Sequence, residues 1–302
     1  MMLSAVIRVR NAEQDLRRCL QRLTSQRLPH TGPLDIVVVD NESIDGSQDV
    51  ARAFGARVTA ISQDEFTWGR ALNRGFELTL GEVVVVLSAD VEPADDEWLA
   101  QMLEPFRDPR VVAVYGRQVP RVDAPIDEIV RIAASFPTTT MLLSGSVARS
   151  MVGTLPFLSN SCAMIRRAAW EQVKFDEHCD AAEEQQWMEA HLERGRSYVY
   201  LGAAKSYHSH RDPVTRFAYR LWEIHREDMS RRGSCPSIGS TLYAAAAICK
   251  RRMQNVIGAD APMMRRAEGA AQLPATVIAF LLAAALEALG VNQRKVRAFM
   301  WR

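Results

Sequence analysis

The sequence predicts an α/β protein with a Rossmann-like, mostly parallel sheet flanked by helices and with a C-terminal helical extension. Two strand-length runs, Leu34–Val39 (LDIVVV) and Glu82–Leu87 (EVVVVL), are continuously apolar, which is typical of strands covered on both faces. Helical patterns and turn residues alternate with such runs through the first third of the chain, as they do in βαβ units.

The first βαβ unit begins with a strand predicted for Ser4–Val9. A helix follows, with Asn11 as its predicted N-cap and Gln14 as the capping-box partner, and its apolar residues recur at helical spacing. The strand Leu34–Val39 closes this unit and ends at Asp40.

The second unit contains a short strand at Val58–Ile61 and a helix that we expect to stop at Gly81, a typical residue just past a helix end. The strand Glu82–Leu87 then ends shortly before Asp90. Ligands of parallel sheets lie beyond the carboxyl ends of the strands, so Asp40 and Asp90 are expected to face one crevice.

The remaining predicted elements are a helix at Asp95–Phe106, a strand at Val111–Tyr115, an irregular connection at Gln118–Pro137, a helix starting near Arg166, a helix opened by Glu183-Glu184, and a strand at Tyr198–Leu201. Beyond His210 the pattern is helical. We therefore expect two domains, an α/β domain of residues 1–210 and a helical region of residues 211–302.

Composition and the lack of certain motifs argue against several classes of protein. Lys and Arg total 37 and Asp and Glu total 36, so no net basic field indicates a nucleic-acid partner. The five cysteines are scattered without a C-x-x-C pair, which favours reduced thiols and no zinc site. No G-x-G-x-x-G follows an early strand, which argues against an NAD enzyme. The first residues lack the apolar stretch of a signal peptide, so we expect a cytoplasmic protein.

One apolar segment, Leu273–Gly290, has nearly the length of a membrane span but contains Pro274 and Glu287. We expect a helix packed against protein. Basic residues flank the segment, which leaves open a helix lying on the inner face of a membrane as a peripheral contact. A homodimer through the C-terminal helices is a further alternative.

Six segments follow one another in a characteristic order: VIRVRNAEQDLRRCLQRLTSQ, DIVVVDNESIDGS, FTWGRALNRG, GEVVVVLSADVEP, VYGRQVP and LSNSCAMIRR. Together they resemble the family 2 inverting glycosyltransferases of the GT-A fold, and especially their bacterial rhamnosyltransferase-like members. The resemblance covers about residues 3–210 and depends on the order of the motifs, since each motif alone is weak.

The resemblance implies a donor site for a nucleoside-diphosphate sugar that is dTDP-, UDP- or GDP-linked. Asp40 would bind the nucleoside, with a structural role in the following turn as the alternative. Asp90 would hold a divalent metal, Mn²⁺ or Mg²⁺, against the diphosphate, and a helix-capping role is its alternative. His208 would complete the metal site, with His210 and Glu92 as alternative ligands. The family usually has two or three carboxylates at this strand end, and here only one matches.

Further residues are implied on both sides of the transferred sugar. Arg8, Arg70 and Asn73 match donor-binding positions, because arginine pairs with phosphate oxygens and asparagine with ribose or diphosphate. Asn160 and Trp187 are assigned to the acceptor side. The alternatives are a solvated helix position for Arg70, a turn role for Asn160 and a core position for Trp187.

The pair Glu183-Glu184 stands where the family has Glu-Asp at the start of a helix. Glu184 matches the general base, which takes the proton of the acceptor hydroxyl as the new bond forms. A neighbouring carboxylate and partial desolvation would raise the pKa of such a base. The alternative is two acidic residues stabilising a helix N-terminus.

The resemblance therefore implies an inverting transfer of a sugar to a hydroxyl acceptor, on a surface glycan, a lipid-linked glycan or a small natural product. A second hypothesis is a degenerate, non-catalytic homologue that binds nucleotide sugar or glycan. It is motivated by Ser88 and Ala89 in place of carboxylates and by Glu-Glu in place of Glu-Asp.

Overall fold

The computed structural model describes residues 2–28, 32–145, 158–179, 183–210, 214–231, 235–258, 270–291, 296 and 299–300. The chain forms two compact units. The first comprises Met1–Pro120, Ala133–Cys179 and Glu183–His208, and the second comprises Arg121–Ile132, Asp180–Ala182 and Ser209–Arg302. The boundary predicted at residue 210 lies close to the last of these junctions, and the two short stretches joining the second unit were not anticipated.

The described strands belong to one mixed sheet in the first unit. They are β1 (Leu3–Val9), β2 (Asp35–Asp40), β3 (Arg57–Ala60), β4 (Val83–Ser88), β5 (Glu92–Pro93), β6 (Val111–Val119), β7 (Met141–Ser144), β8 (Cys162–Arg166) and β9 (Ser197–Tyr207). Their order across the sheet is β3-β2-β1-β4-β8-β6-β9-β5, with β7 paired to β9.

The first four strands of this order are parallel, as the sequence predicts. Strand β1 lies between β2 and β4, and Arg8 near its end is in register with Val39 and Ser88. This register brings the carboxyl ends of three strands to one edge, where Asp40 closes β2. Strand β8 is antiparallel to both of its neighbours, β4 and β6, so the sheet is parallel only in part.

Helices of the first unit cover the sheet. They are α1 (Glu13–Thr24), α2 (Ser47–Ala53), α3 (Trp68–Leu78), α4 (Trp98–Leu103), α6 (Arg167–Gln172) and α7 (Glu183–Glu193), with a 3₁₀ turn at Glu104–Arg107. Most of α5 (Ile126–Ser135) belongs to the second unit, and only its end from Ala133 onward belongs to the first. The apolar positions of α1 at helical spacing are all buried against the sheet, which confirms the pattern read from the sequence.

Two local predictions are wrong. Asn11 is not an N-cap, because α1 is preceded by Ala12. Asn11 instead adopts a positive φ of 47°, and its Oδ1 accepts a hydrogen bond from the backbone of Ile44. Helix α3 ends at Leu78, before Gly81. A β-carbon at Gly81 would lie 2.5 Å from the backbone nitrogen of Ser4, so glycine is required there for close packing.

The stretch Gln118–Pro137, predicted to be irregular, contains the end of β6 and the whole of α5. Strand β9 continues six residues beyond the predicted Leu201, to Tyr207. Strands β5, β7 and β8 were not predicted. These differences matter because the end of β6 and the end of β9 both carry residues of the candidate site.

The second unit contains α8 (Val214–Arg231), α9 (Ile238–Gly258) and α10 (Leu273–Ala288), whose shared core includes Trp222 and Phe280. The charge within the apolar α10 is neutralised, because Glu287 accepts two hydrogen bonds from Nη1 of Arg226 at 2.9 and 2.8 Å. Pro274 lies in the first turn of α10, where proline is tolerated. Within the described ranges, no helix is both long enough and apolar enough to cross a membrane.

Candidate functional site

Asp40 is completely buried where β2 ends. Its Oδ2 accepts hydrogen bonds from the backbone of Ser43 at 3.1 Å and from Nε2 of Gln48 at 2.8 Å. Its Oδ1 has no hydrogen-bond partner among the described atoms. The carboxylate therefore supports the turn after β2 and also keeps one unsatisfied acceptor at the strand end.

His208, just beyond β9, is buried next to Asp90, which lies two residues beyond β4. The Nε2 atom of His208 is 3.5 Å from Oδ2 of Asp90. On the other side of the ring, Nδ1 is 2.8 Å from Oε1 of Gln118. The amide of Gln118 is oriented in turn, because its Nε2 donates to Oγ of Ser159 at 2.7 Å.

This chain of contacts favours one tautomer of the neutral imidazole. Oε1 of Gln118 can only accept, so it suits a neutral imidazole with the proton on Nδ1, and in that tautomer the lone pair of Nε2 faces Asp90. A lone pair and a carboxylate at this distance are complementary to a cation placed between them. One carboxylate oxygen and one imidazole nitrogen whose second nitrogen is hydrogen-bonded are ordinary ligands, so a divalent metal fits this pair.

The two alternative metal ligands are placed differently. Oε1 of Glu92 accepts a hydrogen bond from Nε of Arg18 at 2.9 Å, so this carboxylate is held by α1. His210 belongs to the second unit, where its backbone N–H is 3.4 Å from Oε1 of Glu128. Covalent geometry alone keeps its Cα within about 7 Å of that of His208.

The two carboxylates that begin α7 differ in their surroundings. Glu183 is buried, and its Oε1 accepts a hydrogen bond from Nδ2 of Asn160 at 3.2 Å. Glu184 is half-buried. The pKa of Glu184 is raised well above its usual range, first because burial disfavours the charged form and second because Glu183 lies beside it.

Arg8 is buried beside these carboxylates. Its Nη2 donates to the backbone oxygen of Asn160 at 2.9 Å, and its Nη1 is 3.8 Å from Oε1 of Glu183. Its guanidinium carbon lies 5.0 Å from the centre of the Trp68 ring. Burial lowers the pKa of Arg8, while the charges of Glu183, Glu184 and Asp90 counteract that effect.

Asn73, a predicted donor ligand, is buried and uses its amide entirely on protein groups. Its Nδ2 donates to the backbone oxygen of Phe175 and to Glu177, and its Oδ1 accepts from Nε1 of Trp170 and the backbone of Phe175. In this structure Asn73 joins α3 to the segment after α6.

Arg70 is half-buried on α3 and contacts protein groups as well. Its Nη1 donates to the backbone oxygen of Glu65 at 2.9 Å, and its Nε donates to Oε2 of Glu177 at 3.3 Å. It also lines a cavity of about 340 Å³ together with Thr59, Arg74, Glu77, Leu78 and Glu177.

Trp187, the predicted acceptor-side aromatic residue, is only 1% exposed. Its Nε1 donates to the backbone oxygen of Val173 at 2.6 Å, and its ring packs on Phe175 and His191. In this structure it therefore has no surface for a ligand. Trp68, by contrast, is a half-buried aromatic residue whose ring lies against the guanidinium of Arg8.

Sequence reasoning did not select Gln118 or Ser159, which orient His208. Both stand in segments that carry the family resemblance, VYGRQVP and LSNSCAMIRR. A polar side chain near the end of a buried strand was the available signal, but its partner, His208, lies 90 positions further along the chain.

Comparison with protein families gives one match over most of the first unit. The family model described as glycosyl transferase family 2 matches residues 4–174, which is more than half of the chain. The O-antigen chain rhamnosyltransferase WbaN of Salmonella anatum is 28% identical over 180 residues, covering 59% of this chain and 57% of that protein. RfbN of Salmonella typhimurium, another O-antigen chain rhamnosyltransferase, is 26% identical over 181 residues, covering 59% and 58%. The matched region thus spans little more than half the length of these relatives.

Solved structures share the fold. S. aureus TarS (1–349) in complex with UDP-GlcNAc has a TM-score of 0.56 at 14% identity, covering 99% of this chain and 91% of that one. The mannosyltransferase PcManGT from Pyrobaculum calidifontis, in complex with GDP-Man and Mn²⁺, has a TM-score of 0.56 at 18% identity, covering 99% and 84%. The predicted GT-A class of α/β fold is confirmed by these similarities.

Proposed function

Because the chain belongs to glycosyltransferase family 2, we propose that it transfers a sugar from a nucleoside-diphosphate sugar to a hydroxyl acceptor with inversion at the anomeric carbon. One arrangement carries the proposal: Arg8 is buried near the end of β1, its Nη1 lies 3.8 Å from Oε1 of Glu183, and the charges of Glu183, Glu184 and Asp90 all act to raise its pKa. The carboxylate assigned to the donor and the carboxylate assigned as base therefore lie around one buried cation.

In this proposal Glu184 is the general base. Its raised pKa makes it a stronger proton acceptor than an ordinary glutamate, and its partial exposure leaves it open to an acceptor hydroxyl. Glu183 is held by Asn160 and Arg8 and supports it. Oδ1 of Asn160 is buried without a hydrogen-bond partner in the described part of the chain, so we assign it to a sugar hydroxyl.

On the donor side, we assign Asp40 to the nucleoside through its unsatisfied Oδ1. Asp90 and His208 would hold the divalent metal. His210, two residues further along the chain, stays the alternative ligand. When bound, the metal would neutralise charge on the diphosphate leaving group. A nitrogen ligand favours Mn²⁺ over Mg²⁺, which prefers oxygen. Glu92 is not retained as a ligand, because Arg18 holds it.

The donor and acceptor are proposed from the relatives. The solved structures carry UDP-GlcNAc or GDP-Man, and the relatives in Salmonella are rhamnosyltransferases of O-antigen chains. We therefore keep UDP-, GDP- and dTDP-sugars as candidate donors and propose a glycan hydroxyl as the acceptor. Arg70 stays a candidate for the donor because it is partly exposed, whereas Asn73 and Trp187 are proposed as structural residues.

The non-catalytic alternative is less well supported by the site. A protein that only binds nucleotide sugar has no need of a half-buried carboxylate with a raised pKa beside a buried one. The test is thermal unfolding with UDP, dTDP and GDP, each with and without Mn²⁺, since ligand at 100 times its Kd adds about 2.7 kcal/mol. We expect one nucleotide to stabilise the protein in a Mn²⁺-dependent manner. No stabilisation by any nucleotide would contradict the assigned donor site.

We also propose that the outer face of α10 rests on an anionic lipid surface. Its exposed large side chains, Ile278 and Leu282, are apolar and one helical turn apart, and the exposed Leu289 directly follows the helix. On α9, Leu242 and Tyr243 are exposed as well. Residues 245–302 contain nine basic and three acidic residues, and such an apolar face in a basic segment is typical of helices that lie on membranes. A homodimer through this face is the competing outcome.

A further inference from the structure

Arg8 occupies an unusual place for a charged side chain. Arg8 is the penultimate residue of β1, a strand with a parallel neighbour on each side. Only 9% of the residue is exposed. A buried cation is costly unless it is paired and hydrogen-bonded, so its contacts indicate why it is retained.

Those contacts turn the guanidinium towards the carboxylate pair. Nη2 bonds the backbone of Asn160, Nη1 is 3.8 Å from Glu183, and the planar group lies over Trp68. Asn160 also bonds Glu183 through its side chain, so these three residues form a closed set. Nη1 lies beyond hydrogen-bond distance of Glu183, and Nε is buried without a hydrogen-bond partner among the described atoms, so the guanidinium is held by the Nη2 bond, by the charge of Glu183 and by the ring of Trp68.

We infer that Arg8 is a positioning residue for the Glu183–Glu184 pair, held between Trp68 and Glu183, and that it does not bind the donor. The inference rests on the proposed function and changes the role that the family resemblance gave to Arg8. Trp68 then helps to position Arg8, because its ring packs against the guanidinium.

The physical effect of this position is electrostatic. Glu184 experiences Glu183 as a like charge and Arg8 as an opposite charge, and Asp90 is the other carboxylate that acts on Arg8. Burial and Glu183 raise the pKa of Glu184, whereas Arg8 opposes that rise. Arg8 thereby makes it easier for Glu184 to lose its proton, and without Arg8 the pKa of Glu184 would rise further.

Three variants separate positioning from donor binding. Arg8→Gln removes the charge, and Arg8→Lys keeps the charge but cannot stack flat and bond two groups at once. Arg10→Gln is the matched control, because Arg10 is an exposed arginine two residues further on, bonded to Gln63. The readout is a carboxyl NMR titration of ¹³C-glutamate-labelled protein, with Glu184 assigned by comparison with Glu184→Gln.

We expect Glu184 to titrate at a higher pH in Arg8→Gln than in the natural chain, and Arg8→Lys to recover most of that shift. Arg10→Gln should leave the titration unchanged. Stabilisation by the nucleotide with Mn²⁺ should be the same in all four proteins. If Arg8→Gln does not fold, Trp68→Leu should move the titration in the same direction, because it removes the stacking partner of Arg8.

An unchanged titration of Glu184 in Arg8→Gln, together with loss of nucleotide stabilisation, would overturn the inference and make Arg8 a donor ligand. An unchanged titration with unchanged stabilisation would overturn it too. The titration needs no turnover, so it decides the role of Arg8 even if no donor is consumed. Absence of turnover with every donor would count against the proposed function alone.

Discussion

His208 and Asp90 face each other across 3.5 Å, and the ring of His208 is fixed from behind by a hydrogen bond of 2.8 Å to Gln118. The pair brings together the end of β9 and the residues after β4, two segments separated by more than 100 positions in the chain. A nitrogen lone pair directed at a carboxylate is the arrangement that a metal ion completes.

The orientation of His208 predicts a role for Gln118 in metal binding. Gln118→Leu removes the acceptor of the Nδ1 proton, so the affinity for Mn²⁺ should fall by about 10- to 100-fold. The measurement is Mn²⁺ titration followed by electron paramagnetic resonance. Gln172→Leu, at an exposed glutamine, is the control and should bind as the natural chain does. Equal affinity in both variants would show that Gln118 does not orient the ligand.

The two carboxylates after β4 should differ in their effect on the metal. Asp90→Asn is expected to remove Mn²⁺-dependent stabilisation by nucleotide, because it deletes the oxygen that faces His208. Glu92→Gln should leave the stabilisation intact, since Arg18 already holds that carboxylate. Thermal unfolding with nucleotide, with and without Mn²⁺, compares the two. Loss of Mn²⁺-dependent stabilisation in Glu92→Gln but not in Asp90→Asn would assign the metal to Glu92.

The raised pKa of Glu184 has a consequence for stability that depends on pH. A carboxyl whose pKa is higher in the folded state binds its proton more tightly there, so unfolding becomes easier as pH rises above about 4.5. Glu184→Gln removes this penalty. The variant should therefore be more stable than the natural chain at pH 8, by on the order of 1 kcal/mol, and the difference should shrink towards pH 4. Chemical denaturation at the two pH values measures both differences, and a variant less stable at pH 8 would contradict the burial of this carboxyl.

The outer face of α10 gives a prediction for lipid binding. Replacing Ile278 and Leu282 by serine should weaken flotation with phosphatidylglycerol vesicles by at least about tenfold, because two inserted aliphatic side chains are worth more than about 1.4 kcal/mol. Ile44→Ser, at an isoleucine that is 93% exposed in the first unit, is the control. If the natural chain does not float with the vesicles but forms a dimer, and the double variant is a monomer, this face binds a second copy of the chain.

The first half of the fold could be predicted because buried parallel strands appear in the sequence as continuous apolar runs, as β2 and β4 do. Strand β8 escaped prediction, since five residues that lead directly into α6 resemble the start of a helix. The hypothesis that Glu183 and Glu184 are catalytic came from a motif. Their different environments could not be predicted, because the contacts of Glu183 are with Arg8 and Asn160, more than 20 positions away in the chain.

Side-chain roles were harder to predict than positions. Asn73 stands in a motif that implies a donor ligand, yet its amide bonds Phe175, about 100 residues further on. Trp187 carries an aromatic ring suited to a sugar, but the packing of α7 places it in the core. Neither outcome depends on local pattern, because both are decided by segments that approach only in the folded chain.

The most direct test of the account is release of nucleoside diphosphate from UDP-, dTDP- and GDP-sugars in the presence of Mn²⁺, compared between the natural chain and Glu184→Gln. The account predicts that one donor is consumed, that Glu184→Gln lowers turnover by about a hundred- to ten-thousand-fold, and that its stabilisation by that donor is retained. Turnover by Glu184→Gln equal to that of the natural chain would contradict Glu184 as the base. No turnover of any donor by the natural chain, with nucleotide binding intact, would favour the non-catalytic alternative.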